Sequence, residues 1–299
     1  MKTQILHNLQ AADYEHPFDK TALDMVRDVP LLSEVMNVIM NWTVVKWELT
    51  KYQGSYFQVT EDSCPSLYNQ IQNVANTLEL EQMPSIYTIW SYLINAFTMG
   101  DKQTVMLSLN TGTIDLLSEE ELAFIVGHEM GHIKSRHFIY HQILWFLSDL
   151  VPKFPGVDLV LKLPLLKWYR MSELTADRAG LLACQDINVA LSALTKMGGI
   201  PKKYFNEVNN DAIMNQAREF EKEAENLLND IIKKGFKTLS ILESTHPWTV
   251  LRAAELLRWY ESGEYQEVLD AHAEKICPKC KRSVPQELEV CPICGYKFS

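Results

Sequence analysis

A chain of 299 residues with 47% hydrophobic and 22% charged side chains has the length and composition of one large folded domain or of a main domain with an appendage, and wholesale disorder is excluded. Its formal net charge of −10 sets an acidic surface against phosphate backbones, so no nucleic-acid partner is expected. The six cysteines, four of them in two CxxC pairs near the C-terminus, do not make a secreted disulfide scaffold and point to metal binding in a reducing, cytoplasmic compartment.

Taken in chain order, the first twenty residues lack the apolar core of a secretory signal. No stretch offers the roughly 20 predominantly apolar residues that a membrane span needs, so a soluble chain is expected. Pro30 to Thr50 has apolar residues at three- and four-residue spacing and predicts a mostly buried helix. Cys64 to Leu80 predicts a second helix with Pro65 in its first turn. Ser85 to Asn110 is rich in Ile, Tyr, Thr, Phe and Val and is broken at Gly100 and Asp101, which predicts strand, turn and strand.

Ser118 opens the next helix, with Glu121 three residues on completing a capping box. The segment 138–170 is rich in Trp, Leu and Phe but broken by Pro152, Pro155 and Pro164. It predicts a hydrophobic excursion packed on the core, with peripheral membrane or protein contact as the second reading. A helix beginning at Ser172 carries SELTADRAGLLACQ, residues 210–234 predict a solvated charged helix, and a last core helix follows Pro247. Composition shifts at about residue 272, dividing the chain into domains 1–271 and 272–299.

His128-Glu129-Met130-Gly131-His132 is an HExxH motif. Residues four apart on a helix differ by about 40° and about 6 Å of rise, so both imidazoles reach one metal ion from the same face. Glu129 beside them suits the general base that takes a proton from water as it attacks a carbonyl carbon. A catalytic zinc needs a third protein ligand and an open position. Ser135 and Phe138 stand where a metzincin would carry Gly and His, so that solution fails. The gluzincin solution takes a glutamate from a later helix, and Glu173 fits it. Asp177, one turn beyond, faces the same site and can accept an N–H hydrogen bond from a ligand histidine. His137 and His141, read as lying on the motif helix, are taken as structural or surface residues.

The ordered motifs Asn95-Ala96-Phe97, His128 to His132, Glu173 to Asp177 and His246-Pro247 resemble the HtpX / CAAX prenyl protease family of zinc metallopeptidases, as do Met83 to Tyr87 and Arg136-His137. The likeness spans roughly residues 60 to 260. It implies that Asn95 and Ala96 lie on a cleft-edge strand, where an extended peptide or protein substrate adds as a further strand. It also implies that His246 stabilises the oxyanion. Arg252 either orients that segment or pairs with an acid. Integral members of the family carry apolar spanning helices, and no stretch here qualifies, so the likeness does not extend to prenylated or membrane-embedded substrates.

Cys277, Cys280, Cys291 and Cys294 have the spacing of a zinc ribbon, a closed structural Zn²⁺ site whose metal supplies the folding energy of a segment too short for a core. A protein-contact or autoregulatory role is expected for it. The expected architecture is α+β: a mostly helical gluzincin-like domain, a small cleft-edge sheet and the ribbon. The expected activity is that of a zinc metalloendopeptidase with one catalytic and one structural zinc. The alternative is a catalytically silent zinc-binding adaptor that uses the ribbon for protein interaction.

Overall fold

The computed structural model describes residues 3–27, 43–101, 103–150, 157–207, 209, 211–219, 249–286 and 288–298. Helices α1 (Ala11–Tyr14), α2 (Pro17–Arg27) and α3 (Thr43–Ser55) precede a four-stranded sheet of β1 (Phe57–Val59), β2 (Ser85–Ile89), β3 (Ala96–Gly100) and β4 (Val105–Asn110). Helix α4 (Pro65–Thr77) joins β1 to β2; Pro65 occupies its first turn, where the missing N–H costs nothing.

The strand order is β1-β2-β4-β3, which leaves β3 at an edge. β2 and β4 run parallel, with Ile86 opposite Leu107, while β3 and β4 run antiparallel, with Ala96 opposite Leu109. The run from Ser85 to Phe97 therefore holds two strands. It breaks at Trp90 to Asn95, where the Ser91 amide bonds the Thr111 hydroxyl and the Asn95 amide bonds that of Thr113. Period-two alternation divides the sheet's faces. Ile86, Leu107 and Leu109 enter the main core, whereas Tyr87 and Met106 pack with Val45 and Leu49 of α3 on the opposite side.

After α5 (Thr111–Leu116) come the two central helices, α6 (Glu119–Lys134) and α8 (Val157–Cys184), with α7 (His137–Leu150) between them. The helix expected from Ser172 thus begins earlier, running through the Trp- and Leu-rich stretch. Leu165 and Trp168 bury there, so burial supplies what Pro164 withholds. The core joins Phe124, Val126 and Met130 of α6 to Leu181 and Leu182 of α8, with α9 (Ile187–Met197) and α10 (Thr249–Glu261) closing it. Of the expected charged helix, residues 211–219 are helical and the remainder lies largely outside the described residues, as does most of the helix expected from Pro30. Helix α11 (Glu264–His272) leads to a second, two-stranded sheet of β5 (Glu274–Ile276) and β6 (Ser283–Pro285). Among the described residues, no helix is long and apolar enough to cross a membrane.

Small residues set how closely α6 and α8 approach. A Cβ on Gly127 would stand 2.3 Å from the Ala183 Cβ, and one on Gly131 would stand 2.6 Å from the Ala179 Cβ. A Cβ on Gly180 would meet the Phe124 carbonyl oxygen at 2.8 Å. The glycine inside HEMGH, Gly131, is thus a packing requirement, and it brings the motif against the helix that carries Glu173.

Candidate active site

Capping fixes where the motif falls. The Ser118 hydroxyl accepts the Glu121 amide at 3.2 Å, and the Glu121 carboxylate accepts the Ser118 amide at 2.8 Å, the reciprocal box expected. Glu121 is buried and also takes Lys196 Nζ at 2.6 Å, which pins the start of α6 to α9. Ten residues on, the two histidines leave one face, with Nε2 atoms 3.1 Å apart.

Glu173 closes the triangle. Its Oε1 is 3.3 Å from His132 Nε2, and its Oε2 is 3.5 Å from His128 Nε2. A tetrahedral zinc with bonds of about 2.0–2.1 Å has edges of about 3.4 Å, so these donors fit such an ion in both spacing and chemistry. Behind them, Asp177 Oδ1 lies 2.9 Å from His128 Nδ1. Arg252 Nε reaches Asp177 Oδ2 at 2.7 Å, and its Nη1 reaches Glu173 Oε2 at 3.3 Å. Of the two readings open for Arg252, the ion pair is the one observed. A guanidinium buried to 4% exposure needs such partners, because a charge left unpaired at that depth costs several kcal/mol, on the order of 3–5.

These neighbours set the protonation of the metal-free site. Burial pushes the His132 ring down to about 4, leaving it neutral and open as a ligand. Burial also opposes charge on His128, but hydrogen bonds to Asp177 and Glu173 overcome it and raise the ring to about 9. Burial would lift the Glu173 carboxyl, yet both histidines and Arg252 hold it well below the carboxylate range. A metal ion held by His128 Nε2 would have to displace a proton from that ring.

Glu129 is buried beside the donors and lines a cleft of about 740 Å³. Burial raises its carboxyl, His128 and Arg252 oppose the rise, Glu173 adds to it, and the balance stands at about 7. Asn95 and Ala96 line the same cleft, with Phe97, Thr98 and Trp145. The backbone of Asn95 is tied by the Thr113 hydroxyl, which accepts its amide and donates to its carbonyl. The Asn95 carbonyl bonds the Asn110 amide, and the Asp101 amide bonds the Thr104 carbonyl. Strict alternation then turns the amide and carbonyl of Ala96 and Thr98 away from β4. At Gly100 the same outer edge is closed by Gln142 of α7, whose amide donates to the Gly100 carbonyl at 2.9 Å.

His246 lies outside the described residues. His137 does not continue the motif helix. Helix α6 ends at Lys134, and Arg136 adopts φ 58°, a left-handed turn that folds the chain back and buries His137 against His132. Of its two readings, structural or surface, burial excludes the surface one. Tyr169, another cleft residue the sequence did not single out, has its hydroxyl held well above the usual range by burial and by the nearby Glu173 and Glu129. An aromatic inside a long apolar run gives no signal that it borders a cleft.

The four C-terminal cysteines converge as well. Cys277 and Cys294 sulfurs are 3.6 Å apart and those of Cys280 and Cys291 are 3.7 Å apart, against about 3.8 Å for the edge of a tetrahedral zinc–sulfur site. Both turns are built alike. The Lys281 amide bonds the Cys277 carbonyl and the Gly295 amide bonds the Cys291 carbonyl, each residue having positive φ. The segment's own small cluster adds Val284, Leu288, Tyr296 and Phe298.

Paired helix histidines, a glutamate from a second helix and a carboxylate at the cleft wall are the equipment of a metallopeptidase. Residues 63–260 match the model of peptidase family M48, and the chain belongs to that family. It is 31% identical over 272 residues to the plastoglobule-localized metallopeptidase 48 of Arabidopsis thaliana, covering 89% of this chain and 77% of that protein. It is 26% identical over 261 residues to a protease HtpX homolog of Ralstonia pickettii, covering 77% of this chain and 85% of the relative. No solved structure matches.

Proposed function

We propose that this metallopeptidase is a zinc-dependent endopeptidase in which His128, His132 and Glu173 hold the metal and Glu129 is the general base. The observation that carries the reading is the convergence of one donor atom from each of the three ligands, all within 4.8 Å of one another, beside a carboxylate that lines the cleft. A bound zinc supplies Lewis-acid chemistry, polarising the scissile carbonyl and acidifying water. Glu129 takes the proton of the attacking water and delivers it to the leaving amine. Asp177, paired with Arg252, holds His128 by its second nitrogen. The substrate lies extended along β3, bonding the outward amide and carbonyl of Ala96 and Thr98, with Asn95 at the approach; main-chain pairing of this kind makes few sequence demands. His246 is the proposed oxyanion donor.

Residues 1–271 are proposed to form the peptidase domain and residues 272–299 a zinc ribbon that holds a structural ion through Cys277, Cys280, Cys291 and Cys294 and contacts protein. Those thiolates require a reducing setting, which supports the cytoplasmic reading. The half-exposed Trp145 at the cleft, within the 138–170 segment, is where peripheral membrane or protein contact would begin. Casein hydrolysis by the wild type and by Glu129→Gln tests the mechanism. The variant is expected to lose about 10²–10⁴-fold in rate with its zinc retained; equal turnover contradicts the mechanism, and a wild type without turnover leaves the adaptor.

A further inference from the structure

Asp19 lies on α2, outside the residues that match the family, yet it is fully buried. A buried carboxylate must be partnered. Its Oδ2 accepts the Thr175 hydroxyl at 2.6 Å, and that hydroxyl oxygen in turn accepts the His16 amide at 3.0 Å. Oδ2 also lies 3.1 Å from His137 Nε2. The other nitrogen of that ring, Nδ1, is 3.0 Å from His132 Nδ1. A continuous line thus runs from Asp19 through His137 to a residue whose Nε2 faces Glu173 and His128.

The proton positions along this line follow from one requirement. If His132 ligates through Nε2, that nitrogen has a free lone pair and the ring's proton sits on Nδ1. His132 Nδ1–H then donates to His137 Nδ1, which must be bare. The proton of His137 therefore sits on Nε2 and donates to Asp19. Each bond has one donor and one acceptor, and no other assignment of neutral rings leaves His132 Nε2 free.

We infer that Asp19 and His137 are positioning residues for His132, acting in series as Asp177 acts alone on His128. Carboxylates behind ligand histidines fix tautomer and ring orientation. Here the carboxylate comes from the N-terminal segment and works through an intervening imidazole. The segment is well anchored for this. Arg178 Nη1 donates to the carbonyls of Tyr14 and Glu15 at 3.4 and 3.3 Å, and His16 Nε2 lies 3.6 Å from Glu255 on α10. Trp168, fully buried, sets its ring edge-on to His137 at 5.5 Å between centroids and confines it.

This inference rests on the proposed metal site, and its test separates the two. The affinity of the full-length protein for zinc is measured by competition with a chelating dye. Cobalt(II) absorption then distinguishes ions held by nitrogen and oxygen from those held by thiolates. His137→Phe and the isosteric Asp19→Asn are expected to weaken the nitrogen–oxygen site about 10–100-fold, leaving the thiolate site unchanged. His137→Gln, whose amide carbonyl can accept from His132 Nδ1–H, is expected to recover part of the loss. Wild-type affinity in both Asp19→Asn and His137→Phe, or a fall in the Tm of the metal-free protein with affinity unchanged, overturns the positioning role. If His137→Phe does not fold, Asp19→Asn decides alone: weakened affinity supports the role and wild-type affinity overturns it. A wild-type protein without any nitrogen–oxygen-bound metal overturns the underlying site instead.

Discussion

In the C-terminal segment, four sulfur donors lie on two like turns whose outermost cysteines are 17 residues apart in sequence, with a handful of side chains around them. The helix-borne site draws on α6 and α8 for its donors and on α10, α7 and α2 for the groups behind them, from Asp19 to Arg252. In the first region the proposed metal would have to build the structure, because so few apolar side chains cannot offset the entropy of ordering the chain. In the second, the α6–α8 crossing and the buried ion pairs set the candidate donors at coordination distance.

The largest expected effect breaks the second region and spares the first. Glu129→Gln should lose about 10²–10⁴-fold in peptidase rate while both ions stay bound, as metal analysis beside casein turnover would check. Next in size is the helix crossing. Gly131→Val must thrust its side chain against Ala179 and the Ala176 backbone, whose Cα lies 3.2 Å from an added Cβ. It should cost about 1–3 kcal/mol in denaturant unfolding and empty the nitrogen–oxygen site, leaving the thiolate site filled. Replacing all four terminal cysteines by serine should do the reverse: zinc falls from about two to about one per chain, while casein turnover persists.

The same contrast explains what could be read before the fold was known. The ribbon is written in spacing alone, since two CxxC pairs need only local turns to converge. The HExxH pair and the capping box are equally local, and both form as expected. Glu173 and Asp177 could be placed because i and i+4 on one helix share a face. Arg252 could be named but not assigned, because its partner lies 75 residues away in sequence. His137 was misplaced because nothing in Ser135-Arg136 announces a left-handed turn; with the helix continued, the ring would point elsewhere. Asp19 gives no signal at all, being one acid among many in an N-terminal stretch. The edge strand was merged with its neighbour because Trp90 to Ile94 is as apolar as the strands it separates.

Two smaller effects sharpen the comparison. Chelation of both metals should leave the helical circular dichroism nearly unchanged, while residues 272–299 become the first site of limited proteolysis. Loss of helical signal on chelation would place both regions in one class. Within the ribbon, Lys281 holds a φ of 60° where the equivalent turn carries Gly295. Lys281→Gly should relieve about 1 kcal/mol of backbone strain and tighten zinc binding there by several-fold, read by the same dye competition.

X-ray anomalous scattering at the zinc edge from crystals of the wild-type protein bears most directly on the metal centre. The expected result is one peak about 2.0–2.2 Å from His128 Nε2, His132 Nε2 and a Glu173 oxygen, in addition to a peak among the four sulfurs. A zinc-replete crystal with a peak only at the cysteines, or with Glu173 outside the coordination sphere of an ion on the two histidines, would contradict it.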